Sequence, residues 1–116
     1  MARGDIWEVW FPAPASGGEG HEQIGRRPAL VIEVDAERPL STVMVVPMTS
    51  NLRALSVPYT FEVAPSPENG LQERSVALVM QLRAIDRKRL QRKLGRLEPH
   101  YMTVLEGEVK HLLGLF

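Results

Sequence analysis

Near its middle the chain reads TVMVVPM over residues 42–48. This stretch is almost entirely apolar and rich in β-branched residues, a composition typical of a buried strand. Residues 29–34, which read ALVIEV, form a second run of the same kind, and residues 35–39 between the two runs predict a turn. The sequence therefore predicts two buried strands at the heart of the protein.

Further strands are predicted on either side of these two. Residues 57–63 and 75–83 are predicted strands, with Pro58 favouring an edge position for the first, and residues 94–97 predict a brief one. Residues 5–11 predict a strand whose side chains point to alternate faces. Ile6, Glu8 and Trp10 lie on one face, and Trp7, Val9 and Phe11 lie on the other. Between them, residues 12–25 are rich in Gly and Pro and predict a long mobile loop, and residues 65–70 predict a turn.

In the last third of the chain, the spacing of apolar residues changes from one typical of strands to one typical of helices. Asp86 is a plausible N-cap for a short helix that runs to about Arg92. After Pro99, apolar residues recur at spacings of three and four and predict one apolar helix face: Tyr101, Val104, Leu105, Val109, Leu112, Leu113 and Phe116. We therefore expect one domain over residues 1–116, a small and strongly bent β-barrel or sheet with short helices and a C-terminal helix packed on it.

Composition narrows the possible chemistry. The chain has 116 residues, 44% of them hydrophobic, and its 14 Lys and Arg balance its 14 Asp and Glu. It has no Cys, which excludes disulfides, thiol nucleophiles and thiolate metal sites, and its three His fit no metal-ligand spacing. No apolar run approaches the roughly 20 residues of a membrane span, and residues 1–5 show no signal-peptide pattern, so we expect a cytoplasmic protein.

The neutral total hides an uneven charge distribution. Residues 83–96 contain seven cations and one anion, a net charge of +6, whereas residues 1–25 contain one cation and four anions, a net charge of −3. The basic segment fits a local polyanion-binding face or an acidic partner. A solvated surface of helix and turn fits it equally well.

Three groups of polar residues are candidates for a site. Arg26 and Arg27 stand at the entrance to a buried strand, residues 47–51 place two hydroxyls and an amide where another strand ends, and Gln81 lies in an apolar run. Each also has an ordinary explanation, namely surface arginines, a turn that bonds its own backbone, and a satisfied structural amide. His21 lies in the Gly-rich loop and is too loosely held to be a strong general-base candidate.

Taken together and in this order, several motifs resemble the MazF/PemK family of bacterial toxin endoribonucleases. The similar segments are RGDIW (3–7), EQIGRRPALVI (22–32), VVPMTSN (45–51), ENGL (68–71), SVAL (75–78), QLRAID (81–86), KLGRL (93–97) and LLGL (112–115). They span nearly the whole chain. The resemblance implies an SH3-like barrel shared with the CcdB toxins, a homodimer, an acidic antitoxin partner, no cofactor, and metal-independent cleavage of single-stranded RNA.

The same resemblance implies roles for individual residues. The family's catalytic Arg, directly before a Pro, corresponds to Arg27, and its catalytic Thr, at the end of a strand, corresponds to Thr49. RNA contacts are assigned to Glu22, Gln23, Arg26, Ser50, Asn51, Gln81 and Arg83. Met80 departs from the family, in which this position is commonly acidic, and this difference is expected to alter base preference.

These residue types suit a transfer reaction within RNA. The 2′-hydroxyl attacks the adjacent phosphorus and leaves a 2′,3′-cyclic phosphate and a 5′-hydroxyl, while a fixed guanidinium stabilises the extra negative charge. The general base stays open among Arg27, His21 and Glu22, because an Arg, whose pKa lies far above neutral, is a poor base at neutral pH. Two alternatives are a non-catalytic CcdB-like toxin that binds a protein such as DNA gyrase, and a catalytically degenerate paralogue.

Overall fold

The computed structural model describes residues 2–12, 25–32 and 41–115, and these form a mainly β structure with one C-terminal α-helix. Seven antiparallel strands make up the sheet: β1 Asp5–Phe11, β2 Gly25–Val31, β3 Thr42–Thr49, β4 Thr60–Val63, β5 Ser75–Leu78, β6 Arg83–Asp86 and β7 Leu90–Arg96. Their order is β4-β5-β3-β2-β1-β7, and β6 pairs with β3 outside this path. In the described residues no pairing joins β4 to β7, so closure of the sheet into a barrel stays a prediction.

The strand β3 is the centre of the fold, as its apolar composition predicts. Its first half pairs with β6, its middle pairs with β2 through Val45, Val46 and Pro47, and its end pairs with β5. Apolar side chains are buried on both of its faces, because one hydrophobic cluster includes Val46 and another includes Val45. A strand covered on both sides cannot alternate with polar residues, which explains the continuous run.

The strand β1 has the predicted bounds and the predicted division of faces. Ile6 belongs to one buried cluster, whereas Val9 and Phe11 belong to the other, with Trp7 packed against it. The predicted loop of residues 12–25 and turn of residues 35–39 lie outside the described residues, except for Pro12 and Gly25.

Three of the predicted strands are wrong in extent. The strand predicted over residues 29–34 begins four residues earlier and is observed as β2, Gly25–Val31. The strand predicted over residues 57–63 begins only at Thr60, because a 3₁₀ helix occupies Leu52–Ser56 and Tyr59 takes a positive φ of 62°. The strand predicted over residues 75–83 is two strands, β5 and β6, separated by a 3₁₀ helix over Val79–Gln81. Both halves pair with β3, but six residues separate Ala77 from Arg83 whereas only three separate their partners Met48 and Val45, a change of register that an uninterrupted strand cannot make.

The helix predicted from Asp86 to about Arg92 is also wrong. Asp86 does act as an N-cap, since its side chain accepts a hydrogen bond from the Lys88 N–H at 2.9 Å, but only a single 3₁₀ turn follows over Arg87–Arg89. The chain then continues as β7, which pairs with β1 along most of its length and includes the predicted brief strand. Pairing with β1 overrides the local helical tendency.

The C-terminal helix α1 runs from Pro99 to Leu113. Pro99 stands in its first turn, and Gly114, with φ 69°, ends it in the left-handed conformation. Leu105 is buried, but Val104 and Leu113 are 41% and 55% exposed, so only part of the predicted apolar face packs on the sheet. In the part of the chain that the structure describes, no helix is long and apolar enough to cross a membrane.

Candidate active site

A cleft opens where β2 and β3 separate. The last backbone pair between these strands is Ala29 with Pro47. Residues 25–28 of β2 pair only with β1, and residues 48–49 of β3 pair with β5. Each strand therefore keeps its other neighbour where the two strands part. Extending the β2–β3 register by two residues places Arg27 opposite Thr49, on the two banks of the gap.

The cleft has a volume of about 300 Å³ and brings four of the predicted site residues together: Arg26, Arg27, Thr49 and Ser50. Its other lining residues are Glu8, Pro28, Met48, Gly70, Leu71, Gln72, Glu73, Ser75, Arg92 and Leu94. Three cations and two carboxylates line it, which leaves a net positive charge. Such a cleft suits an anionic ligand, and an Arg is well shaped for bidentate contact with a phosphate.

Thr49 is held in a defined position at the end of β3. Its backbone pairs with Val76 of β5, and the residue is 8% exposed. Its Oγ1 accepts a hydrogen bond from the Asn51 N–H at 3.2 Å. Because this bond uses a lone pair, and no acceptor for the hydroxyl proton is found among the described residues, the hydroxyl can donate to a ligand oxygen.

The cationic side of the cleft comes from two neighbouring regions of the sheet. Arg26 and Arg27 are exposed residues of β2, directly before Pro28, which biases the backbone of Arg27 towards an extended form. Arg92 of β7 lies across β1 from them, with its guanidinium 3.9 Å from the Glu8 carboxylate. Glu8 therefore connects the basic β7 strand to the cleft.

The opposite wall rests on a turn that Asn69 holds together. Its side-chain oxygen accepts hydrogen bonds from the N–H groups of Ser66 and Leu71, both at 3.0 Å. Its side-chain nitrogen donates to the Ala64 carbonyl at 2.9 Å and to the Glu98 carboxylate at 3.1 Å. Asn69 is completely buried, so these bonds offset the cost of burying an amide.

The turn also fits closely against β7. Gly70 has φ 69°, and a Cβ added there would overlap the backbone carbonyl of Leu94. A Cβ added at Gly95 would overlap the backbone carbonyl of Glu68, whose oxygen accepts a hydrogen bond from the Arg96 N–H at 2.8 Å. This close approach places residues 70–73 along the cleft.

Other predicted site residues lie elsewhere. Asn51 caps the first 3₁₀ helix, accepting a hydrogen bond from the Arg53 N–H at 3.1 Å, and Gln81 ends the second. The Arg83 guanidinium stands 5.3 Å from the centre of the Phe11 ring. None of the three lines the cleft. Glu22, Gln23 and His21 lie outside the described residues.

Sequence reasoning missed several of the lining residues. Glu8 was expected on the face of Ile6 and Trp10 but was not connected to a site. Arg92 was not predicted to lie near the site because its segment was expected to be helical. In the structure this segment is the strand β7, and Arg92 pairs with Glu8 of β1. The Asn69-Gly70 pair does predict a turn in which Gly70 takes a positive φ. It does not predict that this turn forms a wall of the cleft.

Comparison with known proteins defines the class to which this fold and site belong. Residues 2–113 match the family described as PemK-like, MazF-like toxin of type II toxin–antitoxin system. The chain therefore belongs to this family, as the sequence motifs predict.

Individual relatives agree over nearly full length. The chain is 35% identical to "Endoribonuclease MazF9" of Mycobacterium tuberculosis over 123 residues, covering 100% of this chain and 98% of the relative. It is 33% identical to "Endoribonuclease MazF" of Staphylococcus saprophyticus over 116 residues, covering 99% of this chain and 92% of the relative.

Solved structures confirm the mainly β fold with a C-terminal helix. MazF from Deinococcus radiodurans superposes with a TM-score of 0.78 at 29% identity, covering 99% of this chain and 97% of that one. The MazE–MazF structure from the same organism gives a TM-score of 0.74 at 28% identity, covering 100% of this chain and 97% of that one.

Proposed function

We propose that this protein is the toxin of a type II toxin–antitoxin pair and acts in the cytoplasm as a sequence-specific, metal-independent endoribonuclease on single-stranded mRNA. The observation that carries the proposal is the position of Arg27 and Thr49 in one positively charged cleft. Membership of the toxin family and the relatives named endoribonuclease support the reaction class. A gyrase-binding toxin requires neither of these two side chains, and the family match does not favour it.

The chemistry assigns each of the two residues a task. As the 2′-hydroxyl attacks phosphorus, the bond to the 5′-oxygen breaks, and extra negative charge builds up on the phosphoryl oxygens. Arg27 stabilises that charge through paired, charge-assisted hydrogen bonds, and the Thr49 hydroxyl donates a hydrogen bond to the same group. The departing 5′-oxygen takes up one proton, which balances the proton that the 2′-hydroxyl gives up, and the products are a 2′,3′-cyclic phosphate and a 5′-hydroxyl.

The proton of the 2′-hydroxyl needs an acceptor in the cleft. An Arg side chain is in general a poor base at neutral pH, which makes Arg27 a weak candidate. His21 and Glu22 remain candidates from the sequence. Glu8 and Glu73 join them, since both carboxylates belong to residues that line the cleft.

The proposed partners follow from the same family. We propose that the toxin forms a homodimer and that an acidic, partly disordered antitoxin binds it and covers the cleft. The Deinococcus radiodurans relative has been solved as MazE–MazF, which supports an antitoxin partner. The net positive charge of the cleft provides electrostatic complementarity to an acidic chain.

The function is tested with purified protein, a long single-stranded RNA, the DNA of matching sequence and excess EDTA. We expect discrete cuts in the RNA that end in a cyclic phosphate and a 5′-hydroxyl, and intact DNA, because DNA lacks the 2′-nucleophile. Product ends are identified by phosphatase treatment and sequencing. Intact RNA across diverse substrates, or cleavage that EDTA abolishes, would contradict the proposal.

Replacing Thr49 with Val is expected to slow cleavage by about 10²–10³-fold, the usual cost of one lost donor to a transition-state oxygen. Because the two side chains have nearly the same shape, RNA affinity should change much less than the rate. Single-turnover cleavage at saturating enzyme separates the two effects. The matched control is Thr49→Ser, which keeps the hydroxyl and its bond to the Asn51 N–H and should stay within about tenfold of the parent. A folded Val variant with the parent's rate would remove Thr49 from the mechanism.

A further inference from the structure

Trp10 is an exposed tryptophan on a strand whose neighbouring residues are buried. Its exposed fraction is 44%, whereas Val9 and Phe11 on either side are completely buried. An indole left in water carries a large apolar face and, unlike an aliphatic side chain, offers a flat π surface for stacking. The packing of β1 accounts for Val9 and Phe11 but not for a tryptophan at position 10.

Cations flank Trp10 on both sides in the plane of the sheet. On one side Trp10 pairs with Arg26 of β2. On the other side the last β1–β7 pair is Val9 with Leu90, so the 3₁₀ turn over Arg87–Arg89 comes next to Trp10. Trp10, Lys88 and Arg89 line one open depression of about 470 Å³, together with Pro12, Gln91 and Asp86, whose carboxylate accepts the hydrogen bond from the Lys88 N–H. Among the described residues, neither Lys88 nor Arg89 takes part in an ion pair.

This depression adjoins the cleft. Trp10 and Glu8 stand two residues apart on the same face of β1, which corresponds to roughly 7 Å along a strand. Both Glu8 and Arg26 line the cleft. A chain leaving the cleft over Arg26 therefore reaches Trp10 next.

The basic segment of residues 83–96 divides into two groups at this surface. Arg83 stands over the Phe11 ring, and the Lys93 ammonium lies 3.5 Å from the buried Asp5 carboxylate. In contrast, Lys88 and Arg89 line the depression and Arg92 lines the cleft. Two of these three cations therefore lie in the depression with Trp10, and the third lies in the cleft beside Glu8.

We propose that Trp10 stacks on the base of a nucleotide adjacent to the cleaved one and that Lys88 and Arg89 bind the phosphate next to it. The proposal rests on the proposed function and adds a second subsite to it. An acidic peptide supplies negative charge but no flat ring at each repeat, whereas single-stranded RNA supplies both, in the combination that stacking platforms in basic grooves recognise. The depression is accordingly assigned to RNA.

Binding is measured by the fluorescence of Trp10 in a Trp7→Phe variant. Because the chain has two tryptophans, this change leaves Trp10 as the source of the tryptophan fluorescence. The Trp7 Nε1 is buried without a hydrogen-bond partner among the described residues, so this change removes no bond there. The probe is a mixed-sequence 2′-O-methyl RNA, which cannot be cleaved because its 2′-oxygen is blocked. We expect saturable quenching by this RNA and none by polyglutamate of similar length.

Variants test the two parts of the subsite separately. Trp10→Ala is expected to weaken RNA binding by about 5- to 150-fold, and Trp10→Phe to recover part of that loss because a ring remains. The double variant Lys88→Gln with Arg89→Gln should reduce the slope of log K against log salt by about 0.7, since the two cations share one phosphate and each phosphate contact to a single strand contributes about 0.7. Leu113→Ala and Lys110→Gln, exposed positions on α1, are the matched controls and should change neither quantity.

The outcomes separate this proposal from the function on which it rests. Unquenched Trp10, or unchanged affinity of a folded Trp10→Ala variant, overturns the subsite even if the parent cleaves RNA as proposed. Quenching by polyglutamate but not by RNA overturns it in favour of an acidic protein partner. Quenching by RNA with the expected losses supports the subsite even if the parent fails to cleave, in which case only the nuclease assignment fails.

Discussion

Replacing Arg27 with Ala is expected to lower the rate of RNA cleavage by at least about 10³-fold under single-turnover conditions. A guanidinium that stabilises charge on a transferring phosphoryl group typically contributes about 10³–10⁵ to the rate. Arg27 is in the right place for this task, at the point where β2 loses its pairing with β3 and opposite the buried Thr49.

The conservative variant sharpens this prediction. Arg27→Lys keeps the charge but not the planar pair of donors, so we expect it to remain at least about tenfold slower than the parent. The matched control is Arg3→Ala. Its guanidinium makes an exposed contact of 3.7 Å with Glu106, far from the cleft, and its loss should leave cleavage unchanged. Arg27→Ala protein that unfolds normally on heating yet cleaves at the parent's rate would refute the assignment.

The second large effect concerns stability, and it comes from two Gly→Ala substitutions with opposite expected signs. Gly70→Ala should lower the free energy of unfolding by about 2–5 kcal/mol, the sum of a left-handed backbone penalty and overpacking. The added Cβ would overlap the Leu94 carbonyl, and a backbone atom in β7 cannot move aside as a flexible side chain can.

Gly107→Ala provides the matched comparison within the same chain. Gly107 lies inside α1, and a Cβ there would have no neighbour within 4 Å. Alanine at an open helix position should raise the free energy of unfolding by about 0.5–1 kcal/mol. Urea titrations of the two variants check both signs. Equal shifts in the two variants would show that the turn at Gly70 tolerates movement and does not hold the cleft wall in place.

Long periodic segments were predictable from the sequence because local pattern and tertiary packing agree there. The strand β1 has the bounds that alternation predicts, and β3 was recognisable from its buried composition. The helix after Pro99 is present as its spacing predicts, but it ends at Leu113, before the predicted face does at Phe116. The 3₁₀ helix over Val79–Gln81 was not predictable in this way. It takes up the three extra residues by which the pairing register of β6 on β3 differs from that of β5, a difference that no window of neighbouring residues contains.

The candidate site was predictable in its two central residues but not in its surroundings. Arg27 and Thr49 follow from motifs that resemble a family, and the structure brings both to one cleft. Glu8 and Arg92 were not predictable as neighbours, because their contact depends on β7 pairing with β1. The buried hydrogen bonds of Asn69 were not predictable either, because one of its partners, Glu98, lies 29 residues further along the chain.

The cleft is built from segments far apart in the sequence, and this affects the stage of synthesis at which it can exist. Its lining extends from Glu8 in β1 to Leu94 in β7. Chains emerge from the ribosome and fold from their N-terminal end, so β1, β2 and β3 are released well before β7. Under the proposed function, a nascent chain that already carries Arg27 and Thr49 still lacks a complete cleft. Translation must therefore pass the codon for Leu94, the last of the lining residues, before the product can cut RNA.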